Sequence, residues 1–445
     1  MVQSEGAPSK EYRTLTVLAS SGACLYHRVV GTKGAIDESV LAGFHNAIES
    51  FTERLKRVSE QRMEHRMQHM VSTVKDNDVF SSPRRRQGGQ TRWENTNNNV
   101  YDTRSSSTQH SSLRVLQDYA PRSTFAYGDD RYIFQPVESF VFVLNAPRSN
   151  GELSVLRQLD DLVSLCVLLF GPSEKWKTST LRLTGIERMI DEILLRGSNP
   201  VADLLGGAPF VSMSSQTQEQ IDQLLAMLEN DSSTLGSVLL VGNSLLHSRL
   251  NIEETYQIWH LVRLQPLVYQ HMRVTPVYSE NQWKNLVLYR MRWHTLCVLQ
   301  AIDCALVDVV PKLERFDKHL NDRMAQLHVP IANSHPHLDE FAGLQTLAVA
   351  FHSVEKGRTL VPTLREDATQ TQYQEVFLWF IQRAQAQMQE LSIAQIQLCK
   401  AGYRFYAASE NGYEIYLLCG NQCSAAEVED EADRIVAHIR LTQTV

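Results

Sequence analysis

What most constrains this chain is an order of periodicities that recurs three times: one or two strands, a helix, further strands and a closing helix. In the first passage Leu15, Val17 and Ala19 alternate with polar positions across a strand over 13–19. Ser20-Ser21-Gly22 supplies a turn, and 23–30 reads as the hairpin partner. Asp37 is a good helix N-cap, and Val40, Leu41, Phe44, Ile48, Phe51 and Leu55 follow at helical spacing. Strands over 132–135 and 137–145 and helices over 150–170 and 183–195 complete the passage.

The second passage begins near Phe210, with a helix over 217–228. A hairpin over 236–241 and 245–250 turns at Gly242-Asn243. A helix over 252–264, strands over 273–278, 286–290 and 295–300, and a long helix over 306–327 follow. The third comes after a loop at 330–336. It reads as a strand over 345–353, a helix over 372–391, strands over 393–400, 403–408 and 412–419, and a helix over 425–439. Its Asn411-Gly412 is the strongest local hairpin signal in the chain. No sequence identity links the three passages; only the order of elements repeats.

Between the first helix and the later strands, residues 56–130 break the pattern. They carry Arg84-Arg85-Arg86, Asn97-Asn98-Asn99 and Ser105-Ser106-Ser107. So polar a stretch buries too little apolar surface to offset its ordering entropy, so most of it is expected to be disordered, with one candidate short strand at 113–116. The expected fold is therefore α+β: three units, each a mostly antiparallel sheet flanked by helices, with a long disordered insertion in the first. The expected domains are 1–205, 206–329 and 330–445. A length of 445 residues agrees with about three domains, and 43% hydrophobic residues supply enough apolar surface for real cores.

The net charge of -7 argues against wholesale nucleic-acid binding, which depends on Lys and Arg neutralising phosphates. No secretory leader, myristoylation start or prenylated cysteine box is read from the ends. The most apolar run, 162–170, falls far short of the roughly 20 residues a membrane helix needs. Cys24, Cys166, Cys297, Cys304, Cys399, Cys419 and Cys423 are odd in number and form no C-x-x-C pair. A disulfide framework or zinc ribbon is not expected, and a reducing cytosolic compartment fits best.

Motifs that could carry chemistry are weak. Gly242-Asn243-Ser244 starts like a nucleophile elbow but lacks the second glycine and lies in a hairpin, so a β-turn is favoured. Lys177-Thr178 lacks the glycines of a phosphate loop. His65 and His69 have Glu64 before the first histidine, whereas a zincin needs it after. Cys419 and Cys423 read as two buried thiols beside a strand end. The Arg84-Arg85-Arg86 cluster is a candidate for contact with acidic lipid, or for pairing with phosphate on Ser81 or Ser82, against the favoured reading of a solvated loop. Trp283, Tyr289 and Trp293 interleave with Lys284, Arg290 and Arg292; alternating sheet faces explain this without RNA. No catalytic, cofactor-binding or metal-binding residue is expected, and an enzyme with an unrecognised site is the alternative.

Several stretches resemble the tri-longin proteins. These are Leu18-Ala19-Ser20-Ser21-Gly22-Ala23-Cys24-Leu25-Tyr26, then 138–144 with the apolar helix 153–170, then 186–205 with Ile190, Ile193, Leu194, Asp203 and Leu204. Thr275-Pro276-Val277-Tyr278 and the closing 413–419 with its helix to Ile439 are similar to strands and the end of that family. The likeness covers nearly all of the chain outside 56–130 and is strongest to the planar cell polarity effector branch. The large insertion departs from the compact pattern of that branch. The resemblance implies a non-catalytic scaffold subunit that pairs with an Inturned-like tri-longin protein, with a Fritz-type WD-repeat protein as a further partner. It implies binding or activation of a Rab-type small GTPase by nucleotide exchange, in ciliogenesis and planar cell polarity, at the cytoskeleton and the cilium basal body. A Mon- or Ccz-like exchange-factor subunit of endosomal traffic is the alternative within the family. The helix starting near Glu38 and the first hairpin are the contact elements that family analogy favours.

Overall fold

The computed structural model describes residues 12–19, 23–31, 123–148, 151–177, 182–195, 200–211, 213–230, 233–265, 272–327, 338, 342–343, 345–362, 370–400, 402–410 and 412–442. The expected helix over 37–55, the candidate strand at 113–116 and the loop at 330–336 lie outside them. The described residues all belong to one compact unit.

Alternating side chains build the first sheet from β1 (Tyr12–Ala19), β2 (Cys24–Gly31), β3 (Ser123–Tyr127), β4 (Asp130–Val137) and β5 (Phe140–Pro147). Helices α1 (Glu152–Phe170), α2 (Glu187–Leu195) and α3 (Pro200–Leu205) follow, then the two-residue strand β6 (Ala208–Pro209) and α4 (Ser215–Leu228). The second sheet comprises β7 (Thr234–Val241), β8 (Ser244–Ser248), β9 (Met272–Ser279), β10 (Gln282–Arg290) and β11 (His294–Ala301). α5 (Ile252–Leu264) lies between β8 and β9, and α6 (Val310–Leu327) comes after β11. The third sheet takes β12 (Thr346–Ser353), β13 (Arg358–Leu360), β14 (Gln395–Lys400), β15 (Tyr403–Glu410) and β16 (Tyr413–Gly420). α7 (Gln370–Leu391) precedes β14, and α8 (Ala425–Thr442) closes the chain.

The strand orders are β2-β1-β5-β4-β3, β8-β7-β11-β10-β9 and β14-β15-β16-β12-β13-β6. Counted within each set of five, all three follow one path: second, first, fifth, fourth, third. The second and third strands therefore occupy opposite edges. A connection between them must cross four inter-strand gaps, about 19 Å. The 13 residues of α5 rise about 20 Å and do this in the second sheet, as α7 does in the third. The pairs within each five are antiparallel. Only β13–β6 is parallel among the pairs of named strands. The architecture is α+β with three sheets that are almost wholly antiparallel.

Period-two alternation divides each strand between two cores. Val238 and Leu240 of β7 and Cys297 and Leu299 of β11 face a central cluster. Leu239, Val241, Leu296 and Val298 face a second cluster beneath α4 and α6. In the third sheet Val349, Phe351, Ile415 and Leu417 join the central cluster, and Ala348, Ala350, Tyr416 and Leu418 pack on α7. Leu15, Val17, Phe142 and Leu144 bring the first sheet into the same central cluster. α1 lies within it and is buried around much of its circumference, with Gln158, Asp160 and Asp161 buried beside Val155, Leu159, Leu162 and Leu165.

Three differences from the sequence reading have physical causes. β3 falls inside the 56–130 stretch expected to be mostly disordered; its five residues pair along β4, and averaging over a long polar window hides so short a strand. The apolar run 137–145 is broken at Glu138, whose φ of 52° marks the turn between β4 and β5. β6, which a division at 206 assigns to the second unit, hydrogen-bonds to β13 of the third sheet.

Candidate protein-interaction surface

An open sheet edge carries unpaired backbone N–H and C=O groups, so edges are where another chain can add. Two of the six edges are closed by one linker. The Phe210 N–H donates to the Thr359 carbonyl at 3.3 Å, and the Val211 N–H donates to the Leu245 carbonyl at 3.0 Å. Residues 208–211 thus bridge β13 of the third sheet and β8 of the second. Among the described residues, the outermost strands left are β2 and β3 in the first sheet, β9 in the second and β14 in the third. β9 carries Pro276, which cannot donate to a ladder, and α1 packs against it.

The first hairpin therefore ends on an edge strand. Tyr26 and Val30 of β2 point into the central core, while Leu25 and Val29 are 39% and 40% exposed on the opposite side. His27 shares that outward side and lies 3.0 Å from the Thr16 hydroxyl. Arg28 makes a bidentate contact with Asp191 of α2, at 2.8 and 2.5 Å. The hydrogen bond and charge of Asp191 raise the guanidinium pKa further and hold it charged. At the other edge of the same sheet, Phe125 of β3 is 53% exposed. The helix expected near Glu38 lies outside the described residues.

Several buried polar groups are paired with one another. Lys284 of β10 is 2% exposed and donates to Glu254 at 2.7 Å and to Glu280 at 2.8 Å. Ser279 also donates to Glu254, and the Asn251 amide reaches both carboxylates, at 3.1 and 2.8 Å. Burial alone would lower the Lys284 pKa; its two carboxylate partners outweigh burial and raise it, so this amine stays an ammonium. Arg263 lies 2.5 Å from Asp203 and 4.8 Å from the Trp259 ring. Asp161 of α1 accepts from the Tyr256 hydroxyl at 3.2 Å. The Gln158 amide donates to the carbonyls of Ile193 and Leu194, satisfying the C-terminal end of α2. The Lys284 cluster joins α5 to the second sheet, and the other three contacts join helix to helix.

The sequence motifs take structural positions. Gly242, at φ 55°, turns β7 into β8, and Ser244 is fully buried there, away from any strand-to-helix turn. Cys419 ends β16 and Cys423 precedes α8; both are buried, and burial pushes the Cys419 thiol up to about 12. Alternation separates Trp283, 40% exposed, from Lys284, which is spent in its ion pairs. Trp293 lies in the β10–β11 turn, with Arg292 4.9 Å from its ring. The pair His65 and His69 and the cluster Arg84-Arg85-Arg86 lie outside the described residues. Among the described residues, no group of three or more His, Cys, Asp or Glu could hold a metal ion, and no helix is long and apolar enough to cross a membrane.

Sequence reasoning did not find the 208–211 bridge, because a two-residue strand leaves no periodicity. It also passed over a groove between α4 and α6, although Lys312, Arg315 and His319 were legible as one stripe at i, i+3 and i+7. The chain matches no family model and no curated protein.

Proposed function

We propose that this chain is a non-catalytic subunit of tri-longin type, similar to Fuzzy, that pairs with an Inturned-like chain and engages a Rab-type small GTPase. The observation that carries the reading is the common strand path of the three sheets, each with the strand, strand, crossover, three-strand order that the longin resemblance implies. The mechanism needs no nucleophile. A surface that binds the nucleotide-free GTPase better than the loaded form shifts the equilibrium toward release. The first sheet, with its open edges β2 and β3 and the outward Leu25, Val29 and Phe125, is the surface we assign to the partner. In this reading the protein acts in ciliogenesis and planar cell polarity, with a Fritz-type WD-repeat protein as a further component, at the basal body.

The test is co-expression with an Inturned-type chain, followed by size-exclusion chromatography with light scattering. A one-to-one complex is expected, and Val29→Glu is expected to weaken it without unfolding the protein. The complex, and not the single chains, should then accelerate release of a fluorescent GDP from a Rab-type GTPase. Pairing with a Mon- or Ccz-type chain instead would move the function to endosomal traffic. Pairing with neither would remove the basis of the proposal.

A further inference from the structure

α4 and α6 pack side by side on the outer face of the second sheet, and their apolar residues close the core beneath them. Above that core the two helices leave a groove of about 160 Å³. Its floor is Leu224 and Leu228 of α4 with Phe316 of α6, all nearly buried. Its rim on the α4 side is Met227, 55% exposed. Its opposite wall is Lys312, Arg315 and His319, successive turns of one face of α6. Among the described residues that line it, none is acidic. This is a local reversal of sign in a chain whose net charge is -7.

We propose that this groove docks an acidic peptide segment of a partner protein through one large apolar side chain. Three features select that occupant. The volume fits a single ring, since a cavity of about 150 Å³ holds one benzene molecule. The floor offers that ring only carbon surface, and removing it from water is favourable. Among the described lining residues the cations stand along one side, so carboxylates flanking the apolar residue meet Arg315 while the ring is buried. Met227 supplies a flexible, polarizable rim that adapts to the inserted group. A bilayer is the poorer match: membrane surfaces are met by projecting apolar residues and several clustered cations, whereas this site is recessed and holds one ring. The proposal is independent of the longin reading, because it uses only the α4–α6 face.

The test is fluorescence anisotropy with the full-length protein and a fluorescein-labelled ten-residue peptide carrying one central phenylalanine flanked by two aspartates on each side. Saturable binding that weakens with added salt is expected. Replacing the phenylalanine by alanine, or the aspartates by lysines, should abolish it. Arg315→Glu should weaken binding at least tenfold. Met227→Glu, which sets a carboxylate on the rim against the aspartates of the peptide, should also weaken it. Both positions are exposed, so circular dichroism and melting temperature should be unchanged in both variants. Absence of saturable binding up to about 1 mM, or equal binding by Arg315→Glu, would overturn the proposal. Flotation with phosphatidylserine vesicles is the second arm. Vesicle binding that Arg315→Glu abolishes, with no peptide binding, would assign the groove to lipid headgroups and also overturn it.

Discussion

Lys284 shows how one residue decides whether a polar cluster is an asset. Its ammonium lies among Glu254, Ser279, Asn251 and Glu280. Glu254 is 5% exposed, so removing the cation strands a buried carboxylate. Lys284→Met should cost about 3–5 kcal/mol in urea unfolding, the loss seen when one partner of a buried pair is deleted. The double change Lys284→Met with Glu254→Leu should recover most of it, because apolar replacement of a whole buried pair is near neutral. The pH dependence has a fixed sign. The folded Lys284 pKa lies above its ordinary 10.5, so the wild-type advantage is complete below 10.5 and shrinks as pH rises through the folded value. A wild-type advantage over Lys284→Met that stayed constant into strong alkali would contradict this account. The spacing of Trp283, Lys284 and Tyr289 suggested sheet alternation from sequence alone, but the ion pairs did not. Glu254 is 30 residues away along the chain, and only the fold brings it to 2.7 Å.

At the scale of elements, what was legible was whatever carries its own local signal. α5 matches its periodicity residue for residue, because Asn251 caps it by accepting the Glu254 N–H at 2.8 Å and its apolar stripe runs without interruption. α8 begins at a capping box, in which Ser424 and Glu427 bond each other's backbone N–H. β13 was invisible because its three residues are too few to alternate, and its stability comes from β12 on one side and β6 on the other. The interaction edges were likewise illegible, since whether a strand lies outermost depends on pairing between distant segments. The turn before β13 depends on one glycine. Gly357 has φ 58°, and an added Cβ would lie 2.3 Å from Ile252 Cγ2 at the start of α5. Its carbonyl also accepts the Ala208 N–H at 2.9 Å. Gly357→Val should therefore destabilise by about 2–3 kcal/mol, combining left-handed strain with overpacking. Gly185, whose added Cβ would meet nothing within 4 Å, is the control position. Equal melting temperatures for Gly357→Val and Gly185→Ala would show that the turn tolerates a side chain.

At the scale of the whole molecule, the question is whether three sheets of one topology behave as three independent parts. Repeat proteins whose units touch only their neighbours unfold piecewise, because stability is a sum over units and interfaces. Here the central core takes residues from all three sheets, with α1 among them. The 208–211 segment further ties two sheets by backbone hydrogen bonds, and Phe210 is 4% exposed in that same core. Such sharing couples the parts, since opening one sheet exposes apolar surface on the others. Three indoles sample the regions: buried Trp176 beside Phe140 and Phe142, buried Trp259 on α5, and partly buried Trp379 against Phe405. Variants retaining one of these tryptophans should show coincident urea midpoints by fluorescence, matching the far-ultraviolet transition. Phe210→Ala should lower every midpoint together, at a cost of about 3–5 kcal/mol. Separate midpoints, with only the Trp259 and Trp379 signals moved by Phe210→Ala, would mean that the first sheet folds alone. The same coupling bears on dissection. A fragment of residues 330–445 lacks β6 and the chain segments that cover its share of the central core, so it exposes Val349, Phe351, Ile415 and Leu417 along with the β13 edge. That fragment should aggregate when produced by itself, and extending it to begin at residue 200 restores β6, α3 and the second sheet with its helices but neither α1 nor the first sheet, leaving part of the central face open.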